Sequence, residues 1–211
     1  DSVLISSDLG LGVVADGMGG HSAGEIASNI AVHVLEETIR KVNTGELKMP
    51  ETFLPKLDNT ERKMLMAANL ANAAIYTTAQ ASEIYKMMGT TLTGVMFDGD
   101  NATAVHVGDS RIYLFRDGKL VQVTTDHSLA MEHVRRGLLT KAEADKSKIQ
   151  NVLTRAMGIK KNVEFDLLRF PVKLGDVMVL CSDGLYKGMN ETQLAEQLEQ
   201  GKNLPLVQLC K

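Results

Sequence analysis

Apolar residues recur along this chain at two spacings, one typical of strands and one typical of helices. Two short β-rich runs, 3–6 and 11–15, are joined by Ser-Asp-Leu-Gly and predict a hairpin. Apolar residues then recur at helical spacing from Glu25 to Val42, which predicts a helix packed on one face. After a connection at 43–58 that contains helix-breaking Gly and Pro, an alanine-rich helix is predicted from about Thr60 to Lys86.

The middle and the end of the chain carry further strand patterns. Tight-turn sequences with Asp-Gly separate them, which favours antiparallel pairing. The predicted strands lie at about 90–97, 102–107, 110–116, 119–124, 163–170 and 177–182. A charged stretch from His127 to Gln150 predicts short surface helices, and helices are expected from about Glu191 onward. Because strands cluster between helical pairs, the expected fold class is α+β with sheet-on-sheet packing.

Composition narrows the class of protein. The chain has 211 residues, 44% of them apolar and 23% charged, which fits one globular domain. The net charge of -3 argues against nucleic acid or an anionic membrane as a partner. Cys181, in an apolar run, and Cys210, near the end, are expected to be buried thiols in a reducing compartment, which makes a cytoplasmic location the expectation. No apolar run approaches the roughly 20 residues of a membrane span.

Carboxylates stand at the ends of four apolar runs. Asp16, Asp126 and Asp183 each follow such a run, and Asp1 precedes another. Carboxylates that converge at a sheet rim repel one another unless cations lie between them. Oxygen-only ligands suit Mg²⁺ or Mn²⁺, so the pattern predicts a hard-metal site with two or more ions.

Other candidate motifs are weaker. Gly10-x-Gly12-x-x-Ala15 matches a dinucleotide fingerprint by letters, but its glycines precede a strand instead of following one. Ser110 lies between predicted strands without a nucleophile elbow, and Asp109 and Arg111 are expected to fix a turn through hydrogen bonds and an ion pair.

Six motifs then follow in order over nearly the whole chain. Together they resemble the signatures of the bacterial metal-dependent protein phosphatases of type 2C. They are Val14-Ala15-Asp16-Gly17-Met18-Gly19-Gly20-His21, Gly89-Thr90-Thr91-Leu92, Val107-Gly108-Asp109-Ser110-Arg111, Thr125-Asp126-His127-Ser128, Leu153-Thr154-Arg155-Ala156-Met157-Gly158 and Cys181-Ser182-Asp183-Gly184-Leu185.

The resemblance implies a four-layer αββα sandwich of two largely antiparallel sheets, with a binuclear Mn²⁺ or Mg²⁺ centre that hydrolyses phosphoserine and phosphothreonine in proteins through an activated water. Asp16 matches the carboxylate that bridges both metals, and the Gly17 carbonyl matches a ligand of the second. Asp183 matches a ligand of the first metal, and Asp1 is similar to the acidic residue of the family's Asn-Glu-Asp opening. Asp126 is similar to the ligand of a third, weaker ion.

Partners follow from the same resemblance. The expected substrates are phosphoproteins made by a serine/threonine protein kinase, and a monomer is expected. The family's mobile flap lies beside the site, in the neighbourhood of 128–148, so Arg135 and Arg136 are expected to contact protein substrates.

This chain also departs from the family pattern. The phosphate-binding Arg upstream of Asn-Glu-Asp and the closing Asp-Asn motif lie outside residues 1–211, so a single domain truncated at both ends is expected. Met18 stands where eukaryotic relatives have a histidine acid, and Lys187 where an acidic residue is common. The alternative hypothesis is therefore a weak pseudophosphatase, or a phosphoprotein-binding regulatory module of the same fold.

Overall fold

The computed structural model describes residues 1–50, 54, 56–81 and 83–205. The first half begins with a hairpin and continues with two long helices. Its elements are β1 (Ser2–Ser6), β2 (Leu11–Ala15), β3 (Gly17–Met18), α1 (His21–Thr44) and α2 (Asn59–Gln80), followed by a 3₁₀ turn at Glu83–Tyr85. Part of the predicted 43–58 connection and Cys210 lie outside the described residues.

The second half is mostly β-structure and ends in helices. Its elements are β4 (Gly89–Thr90), β5 (Leu92–Asp98), β6 (Asn101–Val107), β7 (Arg111–Arg116), β8 (Lys119–Gln122), α3 (Leu129–Arg135), α4 (Lys141–Ala144), β9 (Asp166–Pro171), β10 (Val177–Cys181), α5 (Asp183–Gly188) and α6 (Glu191–Gly201). Within the described residues, every predicted strand and helix is present, with shifts at the ends. No described helix is long and apolar enough to cross a membrane.

The strands form two main antiparallel sheets and a short ribbon. One sheet has the order β1-β2-β5-β6-β9, the other has the order β10-β7-β8, and β3 pairs with β4. Three apolar clusters fill the spaces between layers. The first joins α1 and α2 to the five-stranded sheet, the second joins the three-stranded sheet to α5 and α6, and the third lies between the sheets. The predicted αββα sandwich is confirmed.

The helices form where the sequence supplies an apolar face and suitable ends. In α1, Ala27, Ala31, Leu35 and Ile39 recur every four residues and are fully buried. The helix ends at Gly45, which adopts φ 80° and suits a left-handed cap. At the start of α2, the Asp58 side chain accepts hydrogen bonds from two backbone amides in a capping box.

Two boundaries differ from the sequence prediction. Helix α1 begins at His21 instead of Glu25, because its first turn contains small and polar residues that carry no apolar periodicity. Helix α2 ends at Gln80 instead of Lys86. The 3₁₀ turn that follows redirects the chain, so that Met88 is fully buried and Gly89 pairs with Met18.

Candidate active site

Asp16 lies directly after β2, and its backbone is fixed by the Gly-Thr-Thr motif. The Asp16 amide donates to Thr91 Oγ1 at 2.9 Å, and the Thr91 amide donates back to the Asp16 carbonyl at 2.9 Å. The Thr90 hydroxyl donates to the same carbonyl at 2.9 Å. Since Thr90 and Thr91 are almost completely buried, Asp16 is held in one position at the rim of the five-stranded sheet.

The glycines after Asp16 allow the start of α1 to lie against β3. A Cβ atom on Gly24 would come within 2.7 Å of the Gly17 carbonyl carbon, and a Cβ on Gly17 would collide with the Gly24 carbonyl. Only glycine permits this approach of two backbones. The glycine-rich motif is therefore required by packing beside the candidate site.

Three aspartates, Asp16, Asp109 and Asp183, line one cavity of about 650 Å³, and the exposed Glu164 lies at its edge. Burial, followed by repulsion from Asp183 and Asp109, raises the pKa of Asp16. Burial, followed by repulsion from Asp183 and Asp126, raises the pKa of Asp109 to about 6. The three groups therefore form one electrostatically coupled acidic centre.

Asp109 is a site residue that the sequence interpretation missed. It was expected to form a turn with Arg111, but it is 7% exposed and faces the acidic cavity. The Tyr186 hydroxyl donates to its backbone carbonyl at 3.1 Å. The available signal was its position: like Asp16, it follows an apolar strand, β6, after a single connecting glycine.

The Asp126 carboxylate forms an ion pair with Arg111. Arg111 donates to both of its carboxylate oxygens, from Nε at 2.9 and 3.1 Å and from Nη2 at 2.7 Å. Gln122 adds a further hydrogen bond at 3.0 Å. The guanidinium also lies 3.7 Å from the ring centroid of Tyr186. The expected ion pair of Arg111 with Asp109 is therefore wrong, since Arg111 pairs with Asp126 instead.

The remaining predicted ligands lie at the edges of this centre. Asp183 begins α5, and its carboxylate accepts a hydrogen bond from Lys187 one turn later. Asp1 and Gly17 line a neighbouring cavity together with Gly19, Gly20 and Glu25. The structure thus brings Asp16 and Asp183 together and leaves Asp1 and Gly17 beside them.

Arg135 and Arg136 lie at the end of α3 and do not line the acidic cavity. Their side chains are 53% and 69% exposed and approach Glu132 at 3.9 and 3.7 Å. Such pairs contribute little and leave both guanidinium groups accessible.

Ser110 is not placed to act as a nucleophile. Its side chain is fully buried, and its hydroxyl is hydrogen bonded to Thr91 Oγ1 at 2.7 Å. Like Thr91, it supports the backbone around Asp16.

The donor set fits a hard cation. Two carboxylates with raised pKa values line one cavity with a third, and a divalent cation would relieve that repulsion. Among the described residues, no three His, Cys, Asp or Glu side chains are already close enough to enclose an ion. Mg²⁺ and Mn²⁺ prefer oxygen ligands, retain several waters and need few protein ligands each.

Comparison of the sequence with known proteins identifies the family of this chain. The profile described as "Protein phosphatase 2C" matches residues 2–204. The serine/threonine phosphatase stp of Listeria monocytogenes is 34% identical over 192 residues, which cover 91% of this chain and 73% of that protein. The serine/threonine protein phosphatase PstP of Mycobacterium tuberculosis is 36% identical over 186 residues, which cover 88% of this chain and 34% of that protein.

Solved structures agree. The crystal structure of M. tuberculosis PstP/Ppp superposes with a TM-score of 0.80 at 32% identity, and the alignment covers 99% of this chain and 83% of that one. The PstP catalytic domain in complex with two manganese ions superposes with a TM-score of 0.75, with the same identity and coverage. On the extent of the sequence match and the shared architecture, the chain belongs to the protein phosphatase 2C family.

Proposed function

We propose that this chain removes phosphate from phosphoserine and phosphothreonine residues of proteins at a binuclear Mn²⁺ or Mg²⁺ centre. The observation that carries the proposal is the convergence of Asp16, Asp109 and Asp183 in one cavity, with repulsion that a divalent cation would relieve. The structure of PstP with two manganese ions supports the same number of metals here.

The proposed ligands divide between two neighbouring positions. Asp16 would hold both metals, since it lines the same cavity as Asp183, and Gly17, the next residue, lines the neighbouring cavity with Asp1. When bound, the metals would supply Lewis acidity, which lowers the pKa of water and neutralises phosphoryl oxygens. Asp109 would add negative charge on the Asp183 side.

The chain's own residues hold this arrangement. Thr90 and Thr91 fix the Asp16 backbone, and Tyr186 fixes the Asp109 backbone. Lys187 offsets part of the negative charge of Asp183. Because the Ser110 hydroxyl is buried and hydrogen bonded to Thr91, attack by water is favoured over attack by Ser110.

A third, weaker ion at Asp126 stays a prediction. The Arg111 ion pair would have to open before Asp126 could bind a cation. Contact of Arg135 and Arg136 with protein substrates also stays a prediction, and their exposure is compatible with it.

The test is phosphate release from phosphoserine and phosphothreonine peptides with and without metal. The protein should turn over these peptides with Mn²⁺ or Mg²⁺, lose activity on chelation, and regain it when Mn²⁺ is restored. Activity that survives exhaustive chelation would contradict the proposal. Tight phosphopeptide binding without phosphate release would instead support the alternative of a phosphoprotein-binding module.

A further inference from the structure

The segment 158–161 crosses the rim of the acidic cavity and is held there by a buried amide. Asn72 on α2 is 1% exposed. Its Oδ1 accepts a hydrogen bond from the Gly158 amide at 2.9 Å. Its Nδ2 donates to the carbonyls of Lys160 and Lys161 at 3.2 and 3.0 Å. One side chain therefore fixes both ends of a short loop.

A second attachment joins this segment to the β3–β4 ribbon that follows Asp16. Met157 and Thr90 exchange two backbone hydrogen bonds, of 2.9 and 3.2 Å. Thr90 in turn pairs with Gly17 in the β3–β4 ribbon. Gly158 then adopts φ 84°, and a Cβ atom there would collide with the Ile75 side chain. The segment is thus positioned relative to Asp16 before any substrate arrives.

Two apolar side chains form a wall of the cavity at this point. Ile159 and Met18 both line it, and Ile159 remains 41% exposed. Their ends meet over Gly89, where an added Cβ atom would lie 2.6 Å from Met18 Cε and 3.0 Å from Ile159 Cδ1. Gly89 therefore leaves room for an apolar surface that stays open to the cavity.

Lys160 places an available positive charge beside that wall. It lines the same cavity, is exposed, and forms no ion pair with any residue in the described part of the chain. Arg155 also lines the cavity, but its guanidinium lies 2.9 Å from Asp166 and 4.0 Å from Glu164. Lys160 is therefore the better placed of these two cations to pair with a bound acidic group.

We infer that Met18, Ile159 and Lys160 form a substrate-recognition surface that selects phosphoproteins with an apolar and an acidic residue near the phosphorylated side chain. This inference rests on the proposed function and adds a substrate class to it. The occupant is the peptide on one side of the phosphorylated residue: its apolar side chain packs on Met18 and Ile159, and its carboxylate pairs with Lys160. Charge complementarity argues for this occupant, since Lys160 is an exposed cation beside the apolar wall and forms no ion pair with the described residues.

The test uses Mn²⁺-loaded protein and phosphothreonine peptides that differ at one neighbouring position. Glu, Lys, Leu and Ser are placed in turn at each position within three residues of the phosphothreonine. The measured quantity is the ratio of kcat/KM for the Glu peptide to kcat/KM for the Lys peptide. This ratio should exceed one at one or more positions, because Lys160 attracts Glu and repels Lys.

Lys160→Glu should lower that ratio by about fivefold or more, since an attractive exposed pair becomes a repulsive one. Lys161→Glu is the matched control, because it makes the same charge change on an exposed residue that does not line the cavity. Ile159→Ala should lower the preference for Leu over Ser by about fivefold, through lost apolar contact.

The proposed function and the recognition surface fail on different outcomes. If the wild-type protein releases no phosphate from any of these peptides, the proposed function fails. If it does release phosphate but Lys160→Glu shifts the charge ratio no more than Lys161→Glu, the recognition surface is overturned. An unchanged preference for Leu in Ile159→Ala would overturn the apolar part of the surface.

Discussion

Asp109 and Asp126 both border the acidic centre, yet their replacement by Asn should change stability in opposite directions. Asp109 has a raised pKa of about 6, against an ordinary value of 3.8. The folded state therefore disfavours its ionised form at neutral pH. Asp126 instead accepts two hydrogen bonds from Arg111, and both side chains are largely buried.

The expected changes in the free energy of unfolding follow from these two environments. A pKa difference of roughly 2 units, at about 1.4 kcal/mol per unit, sets an upper limit of about 3 kcal/mol for the gain on neutralising Asp109. In the metal-free protein, Asp109→Asn should raise the free energy of unfolding by about 1 to 3 kcal/mol. Asp126→Asn should lower it by about 2 to 4 kcal/mol, because Arg111 is left without a full counter-charge.

The assay is urea unfolding at pH 7, first with a chelator and then with saturating Mn²⁺. Metal stabilises a protein that binds it only when folded. With Mn²⁺, the advantage of Asp109→Asn should shrink or reverse, since the variant has lost a negative charge that attracts the cation. The wild-type protein serves as the control for the metal effect in both series.

Two results would refute this reasoning. If metal-free Asp109→Asn is no more stable than the wild type, the repulsion inferred at the cavity is absent. If Mn²⁺ stabilises Asp109→Asn as much as the wild type, Asp109 adds nothing to metal binding and its role is structural.

Two further predictions concern the site and the core. Asp16→Asn should reduce Mn²⁺-dependent phosphopeptide turnover by about a hundredfold or more while retaining the fold, because a neutral amide is a poor bridge between two cations; wild-type turnover with normal metal affinity would contradict the bridging role. His106 is fully buried, and burial with repulsion from His127 lowers its pKa to about 3. His106 binds a proton at a higher pH in the unfolded state than in the folded state. The free energy of unfolding should therefore fall as the pH drops below about 6.5, and His106 should account for a loss of about 2 kcal/mol at pH 5. His106→Gln should lose less stability than the wild type between pH 7 and pH 5 in urea unfolding, and equal losses would exclude this cause.

The local spacing of apolar residues was sufficient to predict the helices and strands and two carboxylates of the acidic cavity. Apolar residues recur at helical spacing in α1 and α2 and at strand spacing in β1, β2 and β5 to β10. Because these residues had to be buried on one face or both, the spacing restricts the secondary structure of each short segment. Asp16 and Asp183 could be predicted because each stands at the end of an apolar strand, Asp16 directly after β2 and Asp183 one intervening residue after β10. A residue at such a position is carried to the sheet rim whatever the rest of the fold does.

The choice among neighbouring acidic residues was decided by tertiary contacts. Asp109 and Asp126 look alike in sequence, and they differ only because Arg111 turns toward Asp126 and leaves Asp109 in the acidic cavity. The attachment of segment 158–161 to Asn72 joins residues almost ninety positions apart. No local spacing can encode such a contact, since it depends on where α2 packs against the sheet. The sequence alone therefore determined the elements and two carboxylates, whereas three-dimensional packing decided which other charges share the cavity.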